Sequence, residues 1–274
     1  MGNAPSAEVI RSFGGDPSRV VSLAGGEGTS WRAGSIVLKP AGPEAEVAWV
    51  GALVESLEHS DHVRVAKHLR TTAAEYVCEG WAATEWLDGE HRSDRWDEAL
   101  AAARAFHGAA LELAPEWPAF MRDRSDPWSR ATRVAWAEEA MPSLPRAAAE
   151  MVDGVVDLAS SPVSPRFQVI HSDLAGNVLF ADDPRLPPAI IDVSPQCRTA
   201  QYAEAILVAD AVAWNGARPS FAEQFLGESR ERLADVARAI IFRVTTAALF
   251  PNTTPARVDG EAQGYRRLVS ILMP

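Results

Sequence analysis

Three polar side chains interrupt an otherwise apolar segment, "VIHSDLAGNVLF" (Val169–Phe180): His171, Asp173 and Asn177. A further aspartate, Asp192, stands nineteen residues after Asp173 in "AIIDVS". Turns between strands often carry Asp, Asn and Gly, because these residues tolerate unusual backbone angles. The same set has a sharper use. One carboxylate can accept the proton of an alcohol, while an amide oxygen and a second carboxylate suit Mg²⁺, a hard cation that prefers oxygen ligands.

Phosphoryl transfer from ATP asks for those groups and for little covalent work, since the protein mainly positions phosphates, metal and acceptor. The remaining parts lie upstream in a consistent order. "AGGEGTS" offers Gly25, Gly26 and Gly28, a turn without side chains where backbone N–H groups can approach phosphate. Lys39 in "SIVLKP" follows on the next run of strand character; it is one of two lysines, with Lys67, among 26 cationic residues, the other 24 being arginine. Glu46, with Glu44 as the alternative, begins the next helical segment and can hold that lysine in place.

These residues need a frame. "SAEVIRSF" reads as a short helix capped by Ser6 and stopped by Gly14 and Gly15. The β-rich runs around the glycine cluster predict an antiparallel meander. "PEAEVAWVGALVESL" begins with Pro and two glutamates, as a helix start does. "VRVAKHL" and "YVCEGWAATEWL" each read as one further strand. The expectation to residue 87 is therefore a five-stranded sheet with one helix inserted after the third strand. Beyond it, "DEALAAARAFHGAALEL" and "DPWSRATRVAWAEEAM" have helical periodicity, and "AEAILVADAVAW" is apolar on all faces, the mark of a buried helix. The predicted class is α+β with two lobes: a β-rich lobe over 1–87 and a mostly helical lobe over 88–274, joined at Leu87-Asp88-Gly89.

Composition narrows the function further. The chain has 274 residues, 47% hydrophobic and 23% charged, enough for a substantial core. A net charge of −11 argues against a nucleic-acid partner and leans towards a cationic acceptor. No apolar run approaches the roughly 20 residues of a membrane helix, and no secretion signal is legible at the start. Two cysteines, Cys78 and Cys197, form no metal or redox motif, so a cytoplasmic setting is expected.

The order of these segments resembles the aminoglycoside phosphotransferase and choline kinase-like family, small-molecule relatives of the protein kinases, and looks similar to an actinobacterial branch of it. "HSDLAGNVL" is close to the family's H-G-D-x-x-x-x-N motif, and "IIDVS" looks like its metal-binding strand. The resemblance spans roughly Leu23 to Trp214 and implies a protein-kinase-like fold and ATP with Mg²⁺ as cofactors. It implies Asp173 as catalytic base, Asn177 and Asp192 as metal ligands, and phosphate contacts from Gly25, Gly26, Gly28 and Lys39, with Glu46 holding the lysine. Thr84 would back the adenine pocket, with backbone groups of Glu85 and Leu87 at the adenine edge. His171 would tie the catalytic loop to the metal strand. Asp210, alone in an apolar helix, would accept N–H bonds from that loop. The implied acceptor is a hydroxyl of an aminoglycoside-, amino alcohol- or sugar-like molecule.

Leu174, Ala175 and Gly176 make three residues between Asp173 and Asn177, where the family has four. That departure favours a second reading, a nucleotide-binding pseudokinase with a sensing or partner-binding role. A metal-dependent phosphoesterase would need several further Asp and His ligands at separate strand ends, and the remaining histidines supply no such framework.

Overall fold

The computed structural model describes residues 4–23, 28–57, 61–114, 116–160 and 166–273. In chain order the elements begin with α1 (Ala7–Ser12), β1 (Val20–Ser22), β2 (Trp31–Ala33), β3 (Ile36–Pro40) and α2 (Glu44–Ser56). Four short strands follow: β4 (Arg64–Val65), β5 (His68–Leu69), β6 (Val77–Cys78) and β7 (Trp81–Glu85). Then come α3 (Trp96–Leu113), α4 (Ala119–Arg122), α5 (Pro127–Ala135) and α6 (Arg146–Ala159). Strands β8 (Gln168–His171), β9 (Val178–Leu179), β10 (Ala189–Ile190) and β11 (Pro195–Arg198) precede α7 (Ala200–Trp214), α8 (Pro219–Leu226), α9 (Arg230–Leu249), α10 (Pro255–Gly264) and α11 (Arg266–Leu272).

The chain divides into two compact units. The first joins Met1–Glu90 to Leu179–Val193, and the second joins His91–Val178 to Ser194–Pro274. Asp192 thus clusters with the strands of the first unit, although it follows Asp173 in sequence.

The first unit is built on a sheet of order β1-β2-β3-β7-β5, with β6 pairing β7, and α2 follows β3. The antiparallel sheet and the inserted helix match expectation; among the described residues the sheet has six strands rather than five. "YVCEGWAATEWL" is not one strand. Glu79 and Gly80 both take positive φ, 48° and 77°, and fold it into a hairpin with Cys78 opposite Trp81. Two central residues at positive φ are what a two-residue hairpin turn needs, and glycine takes that conformation without a Cβ penalty. "VRVAKHL" is split as well: β4 pairs in parallel with β10, and β5 pairs with β7. The Ser6 side chain accepts the Val9 N–H at 3.1 Å, capping α1 as its sequence predicts. That helix packs Val9, Ile10 and Phe13 against Ala33, Ile36, Leu38 and Ala83 of the sheet.

The second unit is helical around the antiparallel pair β8–β11, in which His171 lies opposite Pro195 and Gln168 opposite Arg198. Thr199 caps α7 by accepting the Tyr202 N–H, and Ser229 and Thr254 cap α9 and α10 in the same way. Helix α7 is buried from Ala205 through Val212, as its all-round apolar sequence requires. Helices α8 and α9 are separated at Gly227, which ends α8 at φ 50°. Both α7 and α9 carry charges into this interior: Asp210 on one, Asp235, Arg238 and Arg243 on the other.

Candidate active site

The segment 171–177 is fixed from beneath. His171 ends β8 fully buried, and its Nδ1 accepts the backbone N–H of Asp173 at 3.2 Å and that of Ser194 at 3.3 Å. An imidazole nitrogen that accepts twice carries no proton, so the ring is held in one tautomer. The Ser172 N–H and hydroxyl both donate to the Ser194 carbonyl, at 3.0 and 3.1 Å. Below that layer, His107 of α3 accepts the His171 N–H through Nε2 at 3.2 Å. Complete burial, and then the neighbouring His171, push the pKa of His107 down to about 3. Neutral His107 is the form that can accept this bond.

Above this floor the Asp173 carboxylate is half exposed, while Leu174 beside it is buried. Asn177 Nδ2 donates to the Asp173 carbonyl at 2.7 Å and stands 3.4 Å from its Oδ2. The loop is one residue shorter than the family pattern, yet it closes this bond. Gly176 at φ 119°, a conformation that side chains disfavour, makes the closure. With Nδ2 turned back to the chain, Asn177 Oδ1 is the amide atom suited to a cation.

Arg243 completes the arrangement, and no sequence expectation named it. One terminal nitrogen of its guanidinium donates to Asp173 Oδ1 at 2.7 Å. Its Nε donates to both oxygens of Asp210, at 3.2 and 3.0 Å, and the same terminal nitrogen also pairs with Asp210 Oδ2. The Tyr265 hydroxyl donates to Asp210 Oδ1 at 2.7 Å. Asp210 therefore satisfies its buried carboxylate with an arginine and a phenol, not with N–H groups of the catalytic loop as expected. Its link to the loop runs through the Arg243 side chain. Burial opposes the charge of Arg243, but Asp210 and then Asp173 outweigh it and raise its pKa well above the usual value. Burial, then the Asp210 charge, raises Tyr265 well above the phenol range, and the same two causes raise Glu261. Arg243 left a signal like the one that singled out Asp210: a lone charge within the apolar run "AIIFRVTTAALF". In a chain with 24 arginines it did not stand out.

In the first unit Lys39 lies on β3, opposite Ala82, and its Nζ is 2.7 Å from Asp192 Oδ2. Asp192 takes φ 53°, left-handed backbone that a non-glycine residue adopts at some cost and that clusters at functional sites. His68 on β5 lies near both charges. Burial lowers its pKa, Asp192 pulls it back up, and Lys39 pushes it down again. Glu46 is in the first turn of α2, partly buried, with Glu44 exposed beside it. The ion pair formed by Lys39 is with Asp192.

Thr84 lies on β7 opposite Val37 and His68, and the Glu85 N–H donates to the Lys67 carbonyl at 2.9 Å. Leu87 follows in a segment braced by Trp86, whose Nε1 donates to Asp88 at 2.7 Å and whose ring stacks under Arg32 at 3.8 Å. Gly28 takes φ 68°; Gly25 and Gly26 lie outside the described residues. Among the described residues, no group of three or more His, Cys, Asp or Glu could hold a metal ion, and no helix is long and apolar enough to cross a membrane.

Solved structures share this architecture over nearly the whole chain. Aminoglycoside phosphotransferase APH(4)-Ia, in ternary complex with AMP-PNP and hygromycin B, is 14% identical with a TM-score of 0.62, covering 97% of this chain and 96% of its own. Spectinomycin phosphotransferase APH(9)-Ia, in complex with ADP and spectinomycin, is 14% identical with a TM-score of 0.58 and covers 98% of both chains. The fold is that of the aminoglycoside phosphotransferases and choline kinase. Choline kinase LicA from Streptococcus pneumoniae, 15% identical with a TM-score of 0.55, covers 94% of this chain and 96% of its own. No family model matches the chain, and no curated protein sequence does.

Proposed function

We propose that the protein is an ATP- and magnesium-dependent phosphotransferase acting on a hydroxyl of a small molecule. The observation that carries the reading is the half-exposed Asp173 carboxylate, on a loop pinned by buried His171 and closed by Asn177, in a fold shared with small-molecule kinases. Asp173 accepts the proton as the acceptor's O–H bond breaks. The acceptor oxygen forms the new bond to the γ-phosphorus, and the bond to the bridging oxygen breaks with its electron pair leaving on ADP. Lys39 contacts the phosphates, and backbone groups of Glu85 and Leu87 take the adenine edge.

Asn177 and Asp192 are the residues that would hold magnesium. Their oxygen donors fit it: Mg²⁺ is usually bound through one or two carboxylates together with substrate phosphates, not by an all-protein cage. When bound, the ion neutralises charge on the transferring phosphates. The acceptor belongs to the aminoglycoside, amino alcohol or sugar classes, and the net charge of −11 favours a cationic one.

Thermal melting with and without Mg-ATP tests the reading. A ligand at about 100 times its Kd adds about 2.7 kcal/mol, which corresponds to a rise of roughly 5–10 °C for a chain of this size. The rise is expected to need magnesium and to vanish in Asp192→Asn. A cooperative melt that no nucleotide shifts would refute it. A magnesium-dependent shift without transfer to any alcohol would establish the pseudokinase reading instead.

A further inference from the structure

The two oxygens of Asp173 are not equivalent. Oδ1 accepts from Arg243 at 2.7 Å, whereas among the described residues Oδ2 has the Asn177 amide as its hydrogen-bond neighbour, at 3.4 Å, and that amide spends its short bond on the Asp173 carbonyl. A guanidinium has donors and no acceptor, so an oxygen facing it is poorly placed to receive a proton. Arg243 is itself immobilised: Asp210 grips its Nε edge, Tyr265 fixes Asp210, and the arginine and Asp210 side chains are 14% and 8% exposed. Two carboxylates share this one guanidinium. Asp210 therefore shares the arginine with Asp173, whose carboxylate loses its freedom to rotate.

We propose that Arg243 is a positioning residue: anchored by Asp210 and Tyr265, it pins Asp173 Oδ1 and so assigns Oδ2 as the atom that takes the acceptor's proton. The assignment rests on the phosphotransferase reading of Asp173 given above. It makes the buried polar triad of α7, α9 and the residue after α10 part of the transfer machinery, rather than a stability device that happens to touch the loop.

The test measures phosphoryl transfer from Mg-ATP to a panel of aminoglycosides, amino alcohols, sugars and water. Arg243→Met alone leaves Asp210 buried without its cation, so the variants are the charge-balanced pair Asp210→Asn/Arg243→Met and the conservative Arg243→Lys. Misplacing a reacting group by about 1 Å can cost about 100-fold. The pair is expected to lower kcat about 100-fold with the KM for nucleotide within about twofold, and Arg243→Lys to retain about a tenth of wild-type kcat. In an Asp173→Ala background the same substitutions should change residual turnover by less than about twofold, because residues acting as one unit are not additive. Equal losses in that background, or kcat and KM changing together, would reduce Arg243 to a structural role and overturn the proposal. Wild-type turnover with unchanged variants ends the positioning role alone. A wild type without turnover on any acceptor ends the phosphotransferase reading and this assignment with it.

Discussion

Arg243 lies 2.7 Å from Asp173 Oδ1 through one nitrogen and 3.0 Å from Asp210 Oδ2 through another, so one buried guanidinium ties the exposed carboxylate of a loop to a buried carboxylate of α7. The two partners differ in consequence. Asp210 is buried, and removing one member of a buried pair leaves an uncompensated charge worth about 3–5 kcal/mol. Tyr265 contributes one hydrogen bond to a charged group, about 1.5–3 kcal/mol. Urea unfolding should therefore rank Asp210→Ala as more damaging than Tyr265→Phe. The reverse order would mean that Arg243 does not depend on Asp210.

The Lys39–Asp192 pair obeys a different rule. Its side chains are 38% and 51% exposed, and exposed pairs are worth about 0–1 kcal/mol. Lys39→Met should leave the melting temperature without nucleotide nearly unchanged while reducing the rise given by Mg-ATP. A large loss of intrinsic stability, with the nucleotide response intact, would make the pair structural.

His107 couples the floor of the loop to pH. Its folded pKa of about 3 is depressed below the unfolded value of about 6.5. The unfolded chain therefore binds the extra proton first, so this contribution is fully present above about pH 6.5 and is lost as pH falls towards 3. The slope is at most about 1.4 kcal/mol per pH unit from this one group. His107→Gln keeps an acceptor for the His171 N–H and cannot titrate. Between pH 6 and 4 the wild type should lose stability more steeply than this variant in denaturant titrations; parallel slopes would place the protonation elsewhere.

Much of this was legible in the chain, and the exceptions share a cause. Caps and helix periodicity are local signals, each set by a few neighbouring residues. The turn at Glu79-Gly80 was missed because a single Glu-Gly between apolar residues reads as a continuing strand; its hairpin forms where β7 pairs with β3 on one edge and takes β6 on the other. The split of "VRVAKHL" was missed because β4 finds its partner in β10, more than 120 residues away. The partner of Asp210 was also beyond local reading. A lone aspartate in an apolar helix announces that something must satisfy it, but which residue does so is decided by the packing of α7 against α9.

Gly176 gives the most economical test of the shortened loop. A Cβ placed there would meet nothing within 4 Å, so Gly176→Ala costs conformation, not space. At φ 119° that cost is about 1–3 kcal/mol if the loop keeps its shape. The alternative is for the loop to relax, which opens the 2.7 Å bond from Asn177 to the Asp173 carbonyl. The two outcomes are separable. A retained loop lowers the melting temperature and preserves the magnesium dependence of nucleotide binding. A relaxed loop spares stability and loses that dependence, as Asn177→Ala should. Because both short bonds that hold Asn177, from Nδ2 to the Asp173 carbonyl at 2.7 Å and from its N–H to the Leu174 carbonyl at 3.0 Å, close across Gly176, strain at that residue falls directly on them, and the second outcome is expected. Calorimetric titration of nucleotide with and without magnesium, on both variants, decides it. A Gly176→Ala protein that binds Mg-ATP like the wild type at unchanged stability would show that the glycine, and the closure it makes, is not needed to present Asn177.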